Sequence, residues 1–386
     1  MKKLFSAILA MLMFTACSGG GGGSTPEIDP NTIRIGYNLE LTGEVASYGN
    51  SELEGVELAI KLANEKGGVL GKQIVGVKYD NQSNQAEAVS VQTKLATVEG
   101  VAGIISPATS GLTSAIYPIS DEYHIPTVSA SATADGITQN ADGTVMDYAF
   151  RVCFLDSYQG TAMAKFAARN LEATKAVIIG DSSSDYAKGL KENFKTQFES
   201  LGGTVVAEES YVEGDTEFNS LLTKIKDLDF DVIYIPGYYA EVSLIIKQAR
   251  AMGIDAPITG GDGFDAPQLL EIAGATALND VYFTTAYTTV TDDENVKNFV
   301  EAYKAEYGKD PDMFAALAFD SANILIEAIG KTPTGNAIAV KDALSTIKNY
   351  KGVTGKISFD KLHNAVKSVL VVELVDGVQT SSTEVK

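Results

Sequence analysis

Two periods of apolar and polar positions take turns along this chain. Residues 32–39, TIRIGYNL, read as a strand, and residues 51–68, SELEGVELAIKLANEKGG, read as an amphipathic helix. Leu53, Val56, Leu58, Ile60 and Leu62 are among the apolar positions of that helix, and a Gly-Gly pair stops it. Strand QIVGVKYD, helix AEAVSVQTKLATV, strand VAGIIS, a helix around LTSAIYPIS and strand IPTVSA follow. Near residue 175 the pattern restarts with strand KAVIIGD and helix YAKGLKENFKTQFESLGG, closed by the same Gly-Gly. TVVAEESY, FNSLLTKIKDL, DVIYIPG, AEVSLIIKQARAMG and APITGG then repeat the order and spacing of elements, though not the residues. Strands alternating with helices indicate parallel α/β sheets. The pattern therefore predicts an α/β protein of two doubly wound, Rossmann-like lobes. Helices over 294–308, 313–330 and 339–347 and a hairpin over 355–377 complete it.

The N-terminus changes the picture of where the protein works. MKK, the short apolar run LFSAILAMLMF and then TAC read as a lipoprotein signal over residues 1–16, with Cys17 as the acylated first residue. Residues 17–31, with SGGGGGSTPE, form a flexible tether. The expected location is the cell envelope, lipid-anchored in the periplasm or on the outer face of the cytoplasmic membrane. No later segment is expected to reach a transmembrane length. With 386 residues, 45% of them hydrophobic, the chain is long enough for two domains. Its net charge of −20 gives it no general attraction for nucleic acid. Cys153, in YAFRVCFL, is the only other cysteine and reads as a buried core thiol. With that one thiol and two distant histidines, no metal cluster and no cofactor are expected.

Ligands of open α/β sheets bind beyond the carboxyl ends of the strands. In lobe one those ends are ISPATSGLTSA and VSASATADG, which offer hydroxyls and free helix N–H groups suited to a carboxylate. In lobe two they are IIGDSSSDYAKG, YIPGYYAE and GGDGFDAP, with Tyr186, Tyr238, Tyr239 and Asp262, suited to an ammonium and an apolar body. A carboxylate among glycines would repel a phosphate. A zwitterionic amino acid would bridge the two sets.

TGEVASYG, GGVLGK, ANEKGG, FRVCFLDSYQG, EGDTEFNSLLTKIK, GGDG and FVEAYKAEYGKDPD resemble, in collinear order, the branched-chain amino-acid (Leu/Ile/Val) type of substrate-binding protein of ABC transporters. The resemblance implies a type I periplasmic-binding fold whose lobes close on ligand about a three-crossover hinge near Phe154, Thr285 and Val366. Lobe one would comprise 32–154 plus 286–366, and lobe two 155–285 plus 367–386. It implies that Ser110 and Thr133 bind the ligand carboxylate, that Ser131 offers its carbonyl to the ammonium, and that Asp262 pairs with that ammonium. Tyr48, Tyr186, Tyr238 and Phe314 match aromatic positions around the ligand, with Tyr48 and Phe314 favouring neutral, aliphatic side chains. Some relatives have a lobe-one disulfide, absent here, and some have Glu where this chain has Asp262. Permease subunits are the implied partners, and a monomer is expected. A ligand sensor, or a binder of another small carboxylate or amide, would use the same fold.

One enzymatic pattern competes. IIGDSSSD and FDKLH imitate the Gly-Asp-Ser esterases, with Ser182 as nucleophile, His363 as base and Asp360 orienting it. GDSSS occupies the place in lobe two that GYNLE occupies in lobe one, so the repeat explains it without catalysis. FDKLHNA reads as a turn that leaves His363 exposed. No catalytic residue is expected.

Overall fold

A computed structural model describes residues 29–385. The expected signal peptide, Cys17 and nearly all of the tether lie outside the described residues. The first half of the fold runs β1 (Thr32–Leu39), α1 (Ala46–Glu65), β2 (Gln73–Asp80), α2 (Gln85–Thr97), β3 (Gly103–Ile105), α3 (Ser110–Glu122), β4 (Thr127–Ser129) and β5 (Ala149–Arg151). Its five strands are parallel, in the order β2-β1-β3-β4-β5. Then come α4 (Asp156–Arg169), β6 (Lys175–Asp181), α5 (Asp185–Ser200), β7 (Thr204–Tyr211), α6 (Asn219–Ile225), β8 (Val232–Ile235), α7 (Tyr239–Ala251), β9 (Ile258–Gly260), α8 (Pro267–Ala273) and β10 (Val281–Thr285). These strands are parallel in the order β7-β6-β8-β9-β10, the same 2-1-3-4-5 arrangement as the first sheet. The repeat read from element spacing is thus a repeat of topology.

The remainder is α9 (Glu294–Tyr307), α10 (Met313–Gly330), α11 (Ala337–Ser345), β11 (Tyr350–Gly352), β12 (Gly355–Ile357), β13 (Val369–Val375) and β14 (Val378–Val385). α9 and α10 pack on α1, on the side of the first sheet. β13 adds antiparallel to β10, and β14 to β13, extending the second sheet to seven strands. The chain therefore passes between the sheets three times: after β5, after β10 and after β12.

Three expectations need correction. First, α1 begins at Ala46, five residues earlier than its apolar pattern suggested, so Tyr48 lies inside the helix. Second, residues 355–377 do not form one hairpin. β12 pairs with β11, Phe359 bridges to Ala365 around a tight turn, and β13 joins the second sheet. His363 sits in that turn, at a left-handed φ of 60°. It is nonetheless buried, with its ring stacked on Phe150 at 4.0 Å and Nδ1 3.1 Å from the Ala149 carbonyl. Third, α10 is long and apolar enough to cross a membrane by composition, with a mean hydropathy of 1.4. Its burial against α1, β3 and β4 makes it a core helix instead. Cys153 is a buried thiol, as expected.

Candidate functional site

Each parallel sheet changes winding direction beside its first strand, between β1 and β3 in one and between β6 and β8 in the other. Such switch points open a crevice at the strand ends. The two crevices face each other, and the predicted residues gather there. Tyr48, Ser110, Ser131 and Phe314 come from the first side, Tyr186, Tyr238 and Asp262 from the second. Together they line a small cavity between the two sides. A water-sized sphere finds only about 10 Å³ of room there, against roughly 300–1,000 Å³ in pockets for drug-sized ligands, so the two walls stand close together. Thr133 is buried beside Asp156, whose N–H its carbonyl accepts at 3.0 Å.

The first wall is made of loops held from behind. Ser110 opens α3, and its hydroxyl accepts the Ala134 N–H at 3.1 Å, tying the α3 loop to the one after β4. The free helix N–H groups expected here are partly taken. Glu40, fully buried at the end of β1, accepts the N–H of Ala108 at 2.9 Å and of Thr109 at 3.1 Å. Arg151, also fully buried, donates to the carbonyls of Ala132 and Ala134 and to Asn364. It thereby fixes the loop that carries Thr133. Glu40, Glu52 and Arg151 were not singled out in the sequence, since a polar residue in an apolar run reveals its partners only in three dimensions.

The second wall centres on Asp262, which is 3% exposed. One oxygen, Oδ1, accepts the Tyr186 hydroxyl at 2.7 Å and the Gln159 amide at 3.1 Å. Burial raises the carboxyl to about 6, although the Tyr186 and Gln159 bonds pull it down. Tyr186 stacks on Tyr238 at 5.0 Å, and its hydroxyl accepts the Gly263 N–H at 2.9 Å. A Cβ at Gly263 would fall 2.6 Å from the Gly237 carbonyl, and one at Gly261 would fall 2.5 Å from the Tyr186 hydroxyl. Close approach, and no unusual φ, requires these glycines. Gln159 also donates to Asp156 at 3.0 Å and accepts from Thr284 at 2.6 Å. Burial pushes the Asp156 carboxyl well up. The motif DSYQG contained both groups, but a helix-start Asp followed by Gln reads equally as a cap.

The walls are drawn together. The Tyr48 hydroxyl donates to the Gly263 carbonyl at 2.5 Å and accepts the Tyr239 N–H at 3.0 Å. Tyr239 donates to the Glu44 carbonyl at 2.8 Å, and the Met313 N–H reaches Asp265 at 3.2 Å. Tyr48 stacks on Phe314 at 4.1 Å, forming an apolar corner of the cavity.

The esterase pattern is dispersed. Ser182 donates to the Tyr211 carbonyl in the second sheet, while His363 packs against the first. Asp360 accepts the N–H groups of Leu362 and Asn364, as a turn residue does. No group of three or more His, Cys, Asp or Glu suited to a metal occurs among the described residues.

Two parallel sheets with matching switch points and three connections define a two-lobed binding protein of type I periplasmic-binding architecture. Residues 32–379 match the periplasmic binding protein family. The branched-chain amino acid transporter substrate binding protein LivJ of Streptococcus pneumoniae, solved in complex with isoleucine, is 41% identical, with a TM-score of 0.88 over 92% of this chain and 99% of that one. The leucine binding protein LivK of Thermotoga maritima is 34% identical, with a TM-score of 0.85 over 92% of this chain and 99% of that one. A leucine-, isoleucine-, valine-, threonine- and alanine-binding protein of Pseudomonas aeruginosa is 28% identical over 86% of both chains. The chain belongs to the periplasmic binding protein family, among substrate-binding proteins of the branched-chain amino-acid type.

Proposed function

We propose that this protein captures a small neutral amino acid, of the leucine, isoleucine or valine kind, between its lobes. It would then hand that ligand to an ABC permease. The observation that carries this reading is the pairing, across the small cavity between the walls, of a buried carboxylate on one wall with a hydroxyl at a helix start on the other. Asp262 pairs with the ligand ammonium. Ser110, with Thr133 behind it, receives the carboxylate, and the Ser131 carbonyl adds to the ammonium site. Tyr48 and Phe314 bound the aliphatic side chain, and Tyr186 and Tyr238 line its opposite flank. Lobe one is residues 32–154 plus 286–366, and lobe two is 155–285 plus 367–386, hinged near Phe154, Thr285 and Val366. The protein works as a monomer on the cell envelope, anchored through acylated Cys17, and carries out no chemical step.

A melting screen of the mature domain against leucine, isoleucine, valine, their amides and aromatic acids tests the ligand class. A ligand at about 100 times its dissociation constant adds roughly 2.7 kcal/mol of stability. Shifts with the branched-chain amino acids support the reading, and shifts confined to non-amino carboxylates overturn it. Cys17→Ser tests the anchor: the variant should leave the membrane fraction while still binding ligand, because acylation there is the only attachment the reading provides. Retention in the membrane pellet would overturn the anchor alone.

A further inference from the structure

Behind the first wall lies a group that the ligand-binding account does not use. Glu52, one helical turn after Tyr48 on α1, is completely buried. Its Oε1 lies 2.6 Å from the Ser131 hydroxyl, and the same hydroxyl lies 2.8 Å from the carbonyl oxygen of Ala108. The other carboxyl oxygen, Oε2, is buried with no hydrogen-bond partner. The charged groups facing Glu52 are Glu40 at the end of β1 and Asp312 at the cap of α10, both acidic.

The three oxygens set a counting problem. A serine hydroxyl has one proton to donate. If Glu52 were a carboxylate, it and the Ala108 carbonyl would both be acceptors competing for that proton, and one short O···O contact would have none between its atoms. It would also be a buried anion facing two other acids, with one oxygen unpaired, an arrangement that costs far more than its neutral form. A second proton resolves the conflict. Placed on Oε1, it is donated to Ser131 Oγ, whose own proton goes to the Ala108 carbonyl. Every short contact then holds one hydrogen, and Oε2 is an ordinary carbonyl oxygen.

We propose that Glu52 is a neutral carboxylic acid that acts as a positioning residue for the ligand site, donating to Ser131 so that Ser131 is committed to Ala108. The chain Glu52–Ser131–Ala108 staples the loop after β4 to the loop after β3. These are the loops that carry Thr133 and Ser110. Glu40 accepts the N–H of Thr109, which shares a peptide unit with the Ala108 carbonyl, so that unit is held on both sides. The staple lets the first wall present its donors without rearrangement when the cleft closes on a ligand. The ligand-affinity part of this proposal rests on the function proposed above, and the protonation part does not.

Two measurements on the mature protein separate these parts. In calorimetry with isoleucine, Glu52→Gln should bind within about threefold of wild type, because its amide can also donate to Ser131. Glu52→Ala should bind about tenfold or more weakly, having no donor. In the Ser131→Ala background the alanine change should add no more than about twofold, since the staple is already cut. Equal losses for glutamine and alanine would overturn the proposal, because they would mean that Glu52 must accept. Melting without ligand is the second measurement. Burial raises the Glu52 carboxyl well above its usual range. Wild type therefore loses stability as pH rises from the unfolded carboxyl's value of about 4.3, and the glutamine variant lacks that loss. The variant should melt higher than wild type at neutral pH, with the gap closing as the pH approaches about 4. A gap that does not change with pH, or one of opposite sign, overturns the neutral acid. If isoleucine fails to bind wild type, the ligand assignment falls, and melting alone decides the state of Glu52.

Discussion

The two walls of the cleft stand on sheets of identical strand order and present opposite chemistry. The first offers hydroxyls and peptide groups held by buried side chains behind them: Glu40 on Ala108 and Thr109, Ser131 between Glu52 and Ala108, Arg151 on Ala132 and Ala134. The second offers one carboxylate oxygen held by two donors and flanked by stacked tyrosines. Topology decides where a ligand sits, because the switch points coincide in the two sheets. What the ligand must be is decided by side chains that differ between the copies. Their polarity differs while the apolar periods that build the two sheets are alike.

The largest expected effect breaks the second wall. Asp262→Ala removes the proposed partner of the ligand ammonium and also strands the Tyr186 hydroxyl and the Gln159 amide. Affinity for isoleucine should fall by about 2–5 kcal/mol by calorimetry, the usual cost of leaving one buried charge unpaired. Asp262→Asn should fall between alanine and wild type. Unchanged affinity in the alanine variant would reduce Asp262 to a turn residue. A backbone contrast comes next. Gly263→Ala places a Cβ 2.6 Å from the Gly237 carbonyl, which cannot move aside as a flexible side chain could. About 1–3 kcal/mol of folding stability should be lost. On the first wall, a Cβ at Gly111 meets nothing within 4 Å. Gly111→Ala should leave affinity alone and add about 0.4–1 kcal/mol of folding stability. Similar losses at both glycines would show that the walls are equally tight.

The pH response should separate the walls as well. The Asp262 carboxyl stands at about 6 in the free protein because it is buried. Pairing with an ammonium needs it ionised, so affinity should fall as pH drops below about 6, approaching tenfold per unit, about 1.4 kcal/mol. The free protein responds in the opposite sense. A raised carboxyl contributes stability that is full below its unfolded value of about 3.9 and is lost as pH rises through about 6. Glu213, at the mouth of the cleft, is raised to about 7 by burial and by Glu44 opposite it. Asp312, at the cap of α10, is also raised to about 6 by burial, so Glu213→Gln combined with Asp312→Asn removes the two neighbouring titrations in that range. Affinity independent of pH between about 5 and about 7 in that variant would remove Asp262 from the ammonium site.

Much of this arrangement was legible in the sequence, and what was missed has a common physical cause. The βα alternation, its restart near residue 175 and the strand-end loops are local signals, each written in a few consecutive residues. Asp262 stood out because a carboxylate among three glycines has few local explanations. Glu40, Glu52 and Arg151 did not, because each lies in an otherwise ordinary strand or helix and owes its meaning to a partner at least seventeen residues away. His363 was misread for the same reason. Its turn is local, but the ring that buries it, Phe150, belongs to a distant strand.

The smallest expected effect concerns the contact that joins the walls. Tyr48 comes from the first, and its hydroxyl holds both the Gly263 carbonyl and the Tyr239 N–H of the second. Tyr48→Phe keeps the ring on Phe314 and removes only the oxygen, so the apolar corner should survive. Both lost bonds exist only while the lobes are together, so the change acts on the closed state alone. About 1 kcal/mol of affinity should go, near the typical net worth of a hydrogen bond, because the open cleft lets water satisfy the freed groups. Stopped-flow measurements with isoleucine should place the loss in dissociation, about fivefold faster, with association nearly unchanged, since encounter precedes closure. A loss confined to association would mean that Tyr48 shapes the open cleft. The two walls would then be coupled before the ligand arrives, and not by it.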